Sequence, residues 1–269
     1  MAAGPQKSGG FIRTLRISLL FVVLVAVAGD AWLTRLRTTD WGDSLWVSVY
    51  PINADGSSAT ASYIATLDNT RFAAVEDFFA SEAQRYGVAQ SRPMQLRLAL
   101  EVRERPPAPP PNGQRLAVMA WSLKMRYWAW RIQREYGGPP SNIQVFVQYF
   151  DPQRTERVAH SLGLEKGLIG VVNAFASPRM TRQNNVVIAH ELLHTVGASD
   201  KYDPTSGRPV FPQGYAEPDL EPLHPQRIAE IMGGRIPVSE HAAEIPDSLR
   251  ETLIGPETAA EINWLRPES

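Results

Sequence analysis

The hydrophobic pattern after residue 38 switches repeatedly between the period of a strand and that of a helix. Residues 94 to 102 alternate strictly between apolar and polar side chains, which predicts a strand with one buried face. In residues 181 to 196 apolar side chains recur every three or four positions, which predicts a helix. By the same criteria we predict helices at 69 to 86 and 115 to 136, and strands at 45 to 52, 142 to 150 and 168 to 174.

The order of these elements predicts the fold class. Strands and helices follow one another along the chain, and no internal repeat interrupts them. This order favours an α/β (α+β) fold, with a mixed twisted sheet and packed helices. The prolines between positions 106 and 111 form a stiff connection that is too short to separate two domains. We therefore expect residues 39 to 269 to form a single domain.

The predicted helix at 115 to 136 carries an apolar stripe at helical spacing. A Trp-rich stripe of this kind is typical of a helix that packs into the core. Contact of its aromatic side chains with a membrane surface is the alternative interpretation. The stripe consists of Val118, Trp121, Met125, Trp128 and Ile132.

The N-terminal segment has the pattern of an export signal. Three basic residues between positions 7 and 16 precede an unbroken apolar run at 17 to 29. A helix over residues 15 to 33 would be close to the length that spans a bilayer, with Trp32 at the interface. We therefore expect residues 1 to 38 to hold the chain as a single-pass protein in the cell membrane, with the remaining residues outside the cytoplasm. Cleavage near Ala28 would instead give a secreted or periplasmic protein.

Composition excludes several classes of function. Apolar residues make up 43% of the 269 residues, which is enough to build a core. The 27 basic and 28 acidic residues nearly balance, so the overall charge gives no reason to expect nucleic acid as a partner. Cysteine is absent, which excludes disulfides, thiolate catalysis and cysteine-ligated zinc or iron–sulfur sites.

The segment "VVIAHELLHTVGASDKYD", residues 186 to 203, carries candidate metal chemistry. His190 and His194 are four residues apart on a predicted helix, so both imidazoles project from one side and can bind one ion. Glu191 lies next to the first histidine, where its carboxylate can reach a water held on the metal. The pattern therefore predicts a metal site with an adjacent general base.

A catalytic zinc normally takes three protein ligands, so a third is needed. Gly197 permits a sharp left-handed turn after the helix, which would let Asp200 return towards the ion as an oxygen ligand. Alternatively, Asp200 supports a ligand histidine and the third ligand comes from further along the chain. The residues available for that alternative are Glu217, Glu221, His224 and Glu230.

The stretch "HELLHTVGASD" resembles the zinc-binding pattern HExxHxxGxxH of the metzincin proteases, with Asp200 in place of the third histidine, as in snapalysin-like members. The resemblance covers roughly residues 168 to 235 and implies a zincin-like active-site helix. It implies zinc ligands His190, His194 and Asp200, and Glu191 as acid and base. The similarity extends to Tyr202, a candidate for oxyanion stabilisation or support of the site, and to Met232 in "EIMGG", as the methionine beneath the metal.

The resemblance also implies how a substrate would bind. The strand at 168 to 174 is similar to the metzincin edge strand, which would hold an extended peptide by strand addition. The chain after Met232, residues 233 to 240, would shape the pocket for the residue that follows the scissile bond. Met232 comes 32 residues after Asp200 in this sequence.

These observations predict a zinc-dependent endopeptidase, with Zn²⁺ as cofactor and a peptide or protein as substrate. The membrane is an expected partner through the N-terminal segment, and nucleic acid is not expected. One alternative is a membrane-anchored envelope binding or assembly protein with a structural or inactive metal site. Another is a zinc amidase that acts on a cell-wall component.

Overall fold

The computed structural model describes residues 16, 18, 21 and 40 to 265, except 112, 139, 159 to 160 and 165 to 167. The predicted export signal at residues 1 to 38 therefore lies almost entirely outside the described residues. The main strands are β1 (Leu45–Asn53), β2 (Met94–Leu98), β3 (Ile143–Phe150), β4 (Leu162–Leu164) and β5 (Ile169–Phe175). The helices are α1 (Ser58–Ile64), α2 (Ala73–Arg85), α3 (Arg115–Tyr136), α4 (Thr181–Thr195) and α5 (Pro256–Glu261).

The five main strands form one sheet in the order β2-β1-β3-β5-β4. Strands β2, β1, β3 and β5 are parallel, and β4 pairs antiparallel with β5 through Gly163 opposite Gly170. The predicted α/β class, a sheet with packed helices, is confirmed. The expectation that the strand at 168 to 174 lies at the edge is wrong, because the short β4 pairs with β5 and takes the edge position.

Two hydrophobic clusters cover the two faces of the sheet, since successive side chains of a strand point to opposite faces. In β3, Val145 and Val147 belong to one cluster, together with apolar residues of α2 and α4. Phe146 points to the other face and contacts α3, with its ring 4.5 Å from that of Trp128. Because the central strands are buried on both faces, they read in the sequence as nearly continuous apolar runs.

The predicted apolar stripe of α3 is confirmed as a core contact over its second half. Met125, Trp128 and Ile132 are buried against the sheet. Trp121 is partly buried, and its indole N–H donates to the Pro107 carbonyl oxygen at 2.9 Å. Val118, near the start of α3, is exposed.

The chain after α4 consists mainly of loops with four short strands. These are β6 (Ala229–Glu230) paired with β9 (Thr252–Leu253), and β7 (Ile236–Pro237) paired with β8 (Ala243–Glu244). Near the end of the described chain, Trp264 packs on Trp41, with ring centroids 5.4 Å apart. The Trp41 indole N–H also donates to the Ile262 carbonyl oxygen at 2.6 Å. The C-terminal loops are thereby tied to the start of the described chain.

The structure contradicts the prediction that the chain is a single-pass protein of the cell membrane. In the part of the chain that the structure describes, no helix combines the length and the apolar character needed to cross a bilayer. The 22-residue helix α3 has the length, but it carries five basic residues and one acidic residue.

Candidate metal centre

Helix α4 presents two histidines next to a buried face. Its apolar residues Ile188, Ala189, Leu192 and Leu193 are buried in the cluster that covers the sheet. His190 and His194 are one turn apart on another side of the helix, and their side chains are 14% and 18% exposed. The packing of α4 therefore fixes the direction of both imidazoles.

A left-handed turn ends α4 and brings Asp200 back to the histidines. Gly197 has φ +111°, which glycine adopts without strain, and the Ala198 N–H donates to the Leu193 carbonyl oxygen at 3.0 Å. As a result Asp200 Oδ1 lies 3.2 Å from His190 Nε2 and 3.1 Å from His194 Nε2. The turn that the sequence predicted at Gly197 is present, and the three residues form a group that could hold a metal ion.

The other ring nitrogens show which atoms face the centre. His190 Nδ1 lies 2.9 Å from the Ile231 carbonyl oxygen, and His194 Nδ1 lies 2.8 Å from the Ala198 carbonyl oxygen. A carbonyl oxygen only accepts, so both Nδ1 atoms carry a proton and donate it. In the neutral rings the Nε2 atoms then present lone pairs to the centre, as metal-binding histidines do.

The distances within the group fit a small cation. The two Nε2 atoms lie 3.1 Å apart, so three electron-rich atoms approach one another closely. In a tetrahedral zinc site with bonds of about 2.0 to 2.1 Å, neighbouring ligand atoms lie roughly 3.3 to 3.4 Å apart. The observed distances are shorter by a few tenths of an ångström, so a small shift would let the group hold a cation of this size.

The attraction between His190 and Asp200 also shifts the pKa of each residue. Burial lowers the pKa of His190, but its hydrogen bond with Asp200 and the charge of Glu191 outweigh burial and raise it overall. Burial raises the pKa of Asp200, but its hydrogen bonds with His190 and His194 hold that pKa well below its ordinary value. The carboxylate of Asp200 is therefore ionised at neutral pH.

Glu191 is a buried carboxylate beside the centre. The residue is only 5% exposed, and its Oε2 atom has no hydrogen-bond partner among the described residues. Burial is the largest influence and raises the pKa of the carboxyl, although the two histidines oppose that rise. A buried acceptor without a partner is costly. Its position is suited to a group that exchanges a proton with a bound water or a substrate.

The residues on either side of Asp200 are held by α5. Lys201 Nζ lies 2.7 Å from Glu261 Oε2, and the Ser199 N–H and hydroxyl also donate to the Glu261 carboxylate, at 2.9 and 2.6 Å. Burial alone would raise the pKa of Glu261. The hydrogen bonds from Lys201 and Ser199 have the larger combined effect, so the pKa is lowered overall. No local pattern predicts this contact, because Glu261 is distant from Ser199 and Lys201 along the chain.

The predicted Met232 lies in a turn that contacts the site through its backbone. Its side chain is fully buried, and its carbonyl oxygen accepts from the Lys201 N–H at 2.9 Å. The preceding carbonyl, that of Ile231, accepts from His190. This turn therefore supports the candidate ligand His190 directly and holds Lys201, the neighbour of Asp200.

Tyr202 lies beside the ligands. Its ring centroid is 6.4 Å from that of His190. Burial, the negative charge of Asp200 and a hydrogen bond with Asp200 raise the pKa of Tyr202 to about 12. The phenol therefore stays protonated at neutral pH and can donate a hydrogen bond.

The edge strand β4 lies directly on α4 at Gly163. A Cβ atom at this position would collide with the Cβ of His194 and lie 2.8 Å from the Glu191 carbonyl oxygen. Only glycine allows this approach, so Gly163 sets the distance between the edge of the sheet and the site. Gly163 was not predicted as a site residue, because β4 is only three residues long and carries no periodic signal.

The alternative third ligands lie apart from the histidine pair. Glu230 is fully buried and accepts hydrogen bonds from Gly233 N–H, Gly255 N–H and the Thr258 hydroxyl. His224 Nε2 lies 3.3 Å from the Tyr215 hydroxyl. Neither these two residues nor Glu217 and Glu221 join the His/His/Asp group.

A cleft of about 490 Å³ lies in the loops that follow the ligands. Asp203, Arg208 and Tyr215 line one part of it, and the chain from Pro237 to Ala243 lines another. The segment predicted to shape a specificity pocket, residues 233 to 240, contributes to its wall. The three candidate ligands do not line this cleft.

Comparison with known proteins does not assign the chain to a family. No protein-family model matches it, and no curated protein matches it. Among solved structures, a chain described as "Structure of a chaperone-substrate complex" matches over 82% of this chain at 12% identity, with a TM-score of 0.40. The match covers 34% of that chain, and a similarity of this size carries no argument about function.

Proposed function

We propose that the chain is a zinc-dependent endopeptidase in which His190, His194 and Asp200 hold the metal. The observation that carries the proposal is the convergence of two Nε2 atoms and a carboxylate oxygen within 3.2 Å. Beside them lies the carboxylate of Glu191, whose Oε2 atom has no hydrogen-bond partner among the described residues. Two imidazoles and one carboxylate form a ligand set that suits zinc and leaves a position for water. The resemblance of "HELLHTVGASD" to snapalysin-like metzincins supports the same assignment.

The residues around the centre have distinct proposed roles. Zinc, when bound, lowers the pKa of its water and polarises a carbonyl group. Glu191 takes the proton from the attacking water and delivers it to the leaving amine nitrogen. Tyr202 donates a hydrogen bond to the oxygen that gains negative charge at the scissile carbonyl. Met232 contributes through the buried turn that holds His190.

A peptide substrate is favoured by the edge of the sheet. Within the described residues the sheet ends at β4, which lies against α4 at Gly163. An extended peptide that paired with this edge would run past the metal ligands. The side chain of Asp200 is 42% exposed, which leaves the centre open to a substrate. The three-ligand set and this exposure oppose a purely structural site, which usually has four protein ligands.

The test is cleavage of a peptide library by the zinc-loaded full chain, with Glu191→Gln as the matched variant. The wild type should cleave peptides, and a chelator should abolish the cleavage. Glu191→Gln should fold and retain zinc, but its rate should fall by roughly a hundredfold to ten-thousandfold because the general base is lost. Cleavage at the wild-type rate by Glu191→Gln would contradict the mechanism.

The same pair of proteins separates the alternatives. A zinc-loaded wild type that cleaves no peptide but hydrolyses an amide in a cell-wall fragment, with loss in Glu191→Gln, would support the amidase. A zinc-loaded wild type that is inactive on both substrates would support a binding or assembly protein with a structural or inactive site. Either result would contradict the endopeptidase proposal.

A further inference from the structure

Helix α3 has two apolar faces, and only one of them packs on the sheet. The buried face contains Met125, Trp128 and Ile132. Five large apolar side chains on the opposite face are 50 to 81% exposed. They are spaced by three or four residues and so form one continuous stripe along the helix. We call these residues the outer stripe: Leu116, Met119, Leu123, Tyr127 and Trp130.

Basic side chains surround the outer stripe. At 100° per residue, Lys124 falls along one side of the stripe and Arg126 along the other. Arg115 lies at the start of the helix, and Arg134 at its end covers the Trp130 ring at 4.9 Å. The helix has five basic residues and one acidic residue, whereas the whole chain has a net charge of −1. Arg131 forms ion pairs with Glu104 and Glu135, and the other four basic residues lie around the stripe. Positive charge is therefore concentrated around an exposed apolar surface.

The exposed apolar stripe and the basic side chains around it together indicate what kind of partner would bind this surface. A large exposed apolar stripe with polar borders marks an interaction surface. A second copy of the chain would bring two sets of basic side chains together, which opposes self-association through this face. A partner with an apolar interior and a negatively charged outer layer complements both the apolar stripe and the basic side chains around it.

We propose that the outer stripe binds an anionic lipid surface, with α3 parallel to that surface. Leu116, Met119 and Leu123 would enter the boundary of the acyl chains, and Tyr127 and Trp130 would lie at the level of the headgroups. The exposed side chains of Arg115, Lys124 and Arg134 can extend to the lipid phosphates while their aliphatic parts cover the apolar stripe. This binding is independent of the proposed peptidase activity.

The arrangement leaves the candidate metal centre accessible. Helices α3 and α4 cover opposite faces of the sheet, because their buried residues belong to different clusters. Lipid on the outer stripe and a substrate at His190 therefore occupy different surfaces of the molecule.

The absence of cysteine allows a local test in the full chain. Leu123→Cys would place a single environment-sensitive dye at the centre of the outer stripe. Ser81→Cys would place the same dye at an exposed helical position on α2, across the sheet. Each labelled protein is mixed with vesicles of phosphatidylcholine alone or of phosphatidylcholine with phosphatidylglycerol, and the emission wavelength is followed.

The proposal expects a blue shift at position 123 with the anionic vesicles, little shift with phosphatidylcholine alone, and none at position 81. Adding Arg115→Glu and Lys124→Glu to the Leu123→Cys chain should raise the lipid concentration for half of the shift by at least about tenfold. No shift at position 123 with anionic vesicles would overturn the proposal, and so would equal shifts with both vesicle types. A blue shift at position 123 that increases with protein concentration in the absence of lipid would indicate self-association, and it would also overturn the proposal.

Discussion

The ammonium group of Lys201 lies 2.7 Å from Glu261 Oε2, although the lysine side chain is only 3% exposed. The pair joins the residue after Asp200 to helix α5, and the same carboxylate accepts two hydrogen bonds from Ser199. Residues on both sides of the candidate aspartate ligand are thus fixed by one glutamate. Breaking a buried pair of this kind leaves a charge without its partner.

Glu261→Gln should weaken zinc binding without removing a ligand. The amide cannot hold Lys201 and Ser199 as the carboxylate does, so Asp200 becomes less well oriented. Loss of such supporting contacts typically costs about tenfold to a hundredfold in metal affinity. Competition with a chromogenic zinc chelator measures the change. Glu257→Gln, at an exposed position of the same helix, is the control and should bind zinc as the wild type does.

Gly163→Ala should destabilise the fold by about 1 to 3 kcal/mol, because its methyl group would collide with His194 and the α4 backbone. Chemical denaturation measures the loss. The matched control is Gly170→Ala on the paired strand, where a Cβ atom would lie 3.4 Å from Val145 in ordinary contact. Equal stability of the two variants would show that β4 does not approach α4 this closely.

Asp55 should make stability depend on pH in the acid range. Burial raises the pKa of its carboxyl, but the backbone N–H groups of Asp151 and Ser57 donate to it and lower the pKa from 3.8 to about 2. A pKa below its unfolded value stabilises the fold above pH 4, and this contribution is lost as pH falls from 4 to 2.

Asp55→Asn should therefore lower the free energy of unfolding at pH 7 by about 1 kcal/mol and flatten its decline between pH 4 and 2. Urea unfolding at several pH values checks both effects. Asp77→Asn, at an exposed position on α2, serves as the control. An unchanged pH profile in Asp55→Asn would exclude the role assigned to this carboxylate.

Removal of metal should lower thermal stability. At free zinc 100-fold above the dissociation constant, binding contributes about 2.7 kcal/mol. A chelator should then lower the unfolding midpoint by roughly 5 to 10 °C for a domain of this size. Asp200→Ala should respond much less to the chelator. A full-sized response in Asp200→Ala would mean that the zinc that stabilises the fold lies elsewhere.

Periodicity predicted the main elements because their packing is regular. Strands β1 and β3 are nearly continuous apolar runs, and α2, α3 and α4 bury one periodic face each. The predicted strand at 94 to 102 ends at Leu98, although Val102 remains buried. Helix α1 was missed; a signal was present, since the Ser57 hydroxyl caps it by accepting from the Thr60 N–H.

The site was only partly predictable. Spacing on one helix and a glycine turn are local features, so His190, His194 and Asp200 could be named from the sequence. The carbonyl groups that orient the histidines have no sequence signature, because every residue carries one. Gly163 and Glu261 act through contacts between distant segments, which neither spacing nor composition encodes. Of the remaining histidines, His160 lies outside the described residues, and His241 lines the cleft.

The outer stripe shows a further limit of pattern analysis. A buried and an exposed apolar face on α3 give overlapping periodic signals. The predicted stripe corresponds to the face that packs on the sheet. The opposite face is recognised only once Met125 and Trp128 are seen to be buried and Leu123 exposed.

We propose that His190, His194 and Asp200 together hold one zinc ion, and the metal content of the purified full chain, measured by mass spectrometry, tests this. The wild type and Glu191→Gln should each carry about one zinc per molecule, whereas folded Asp200→Ala should carry much less. A folded wild type without zinc, or equal zinc in the wild type and Asp200→Ala, would contradict the account.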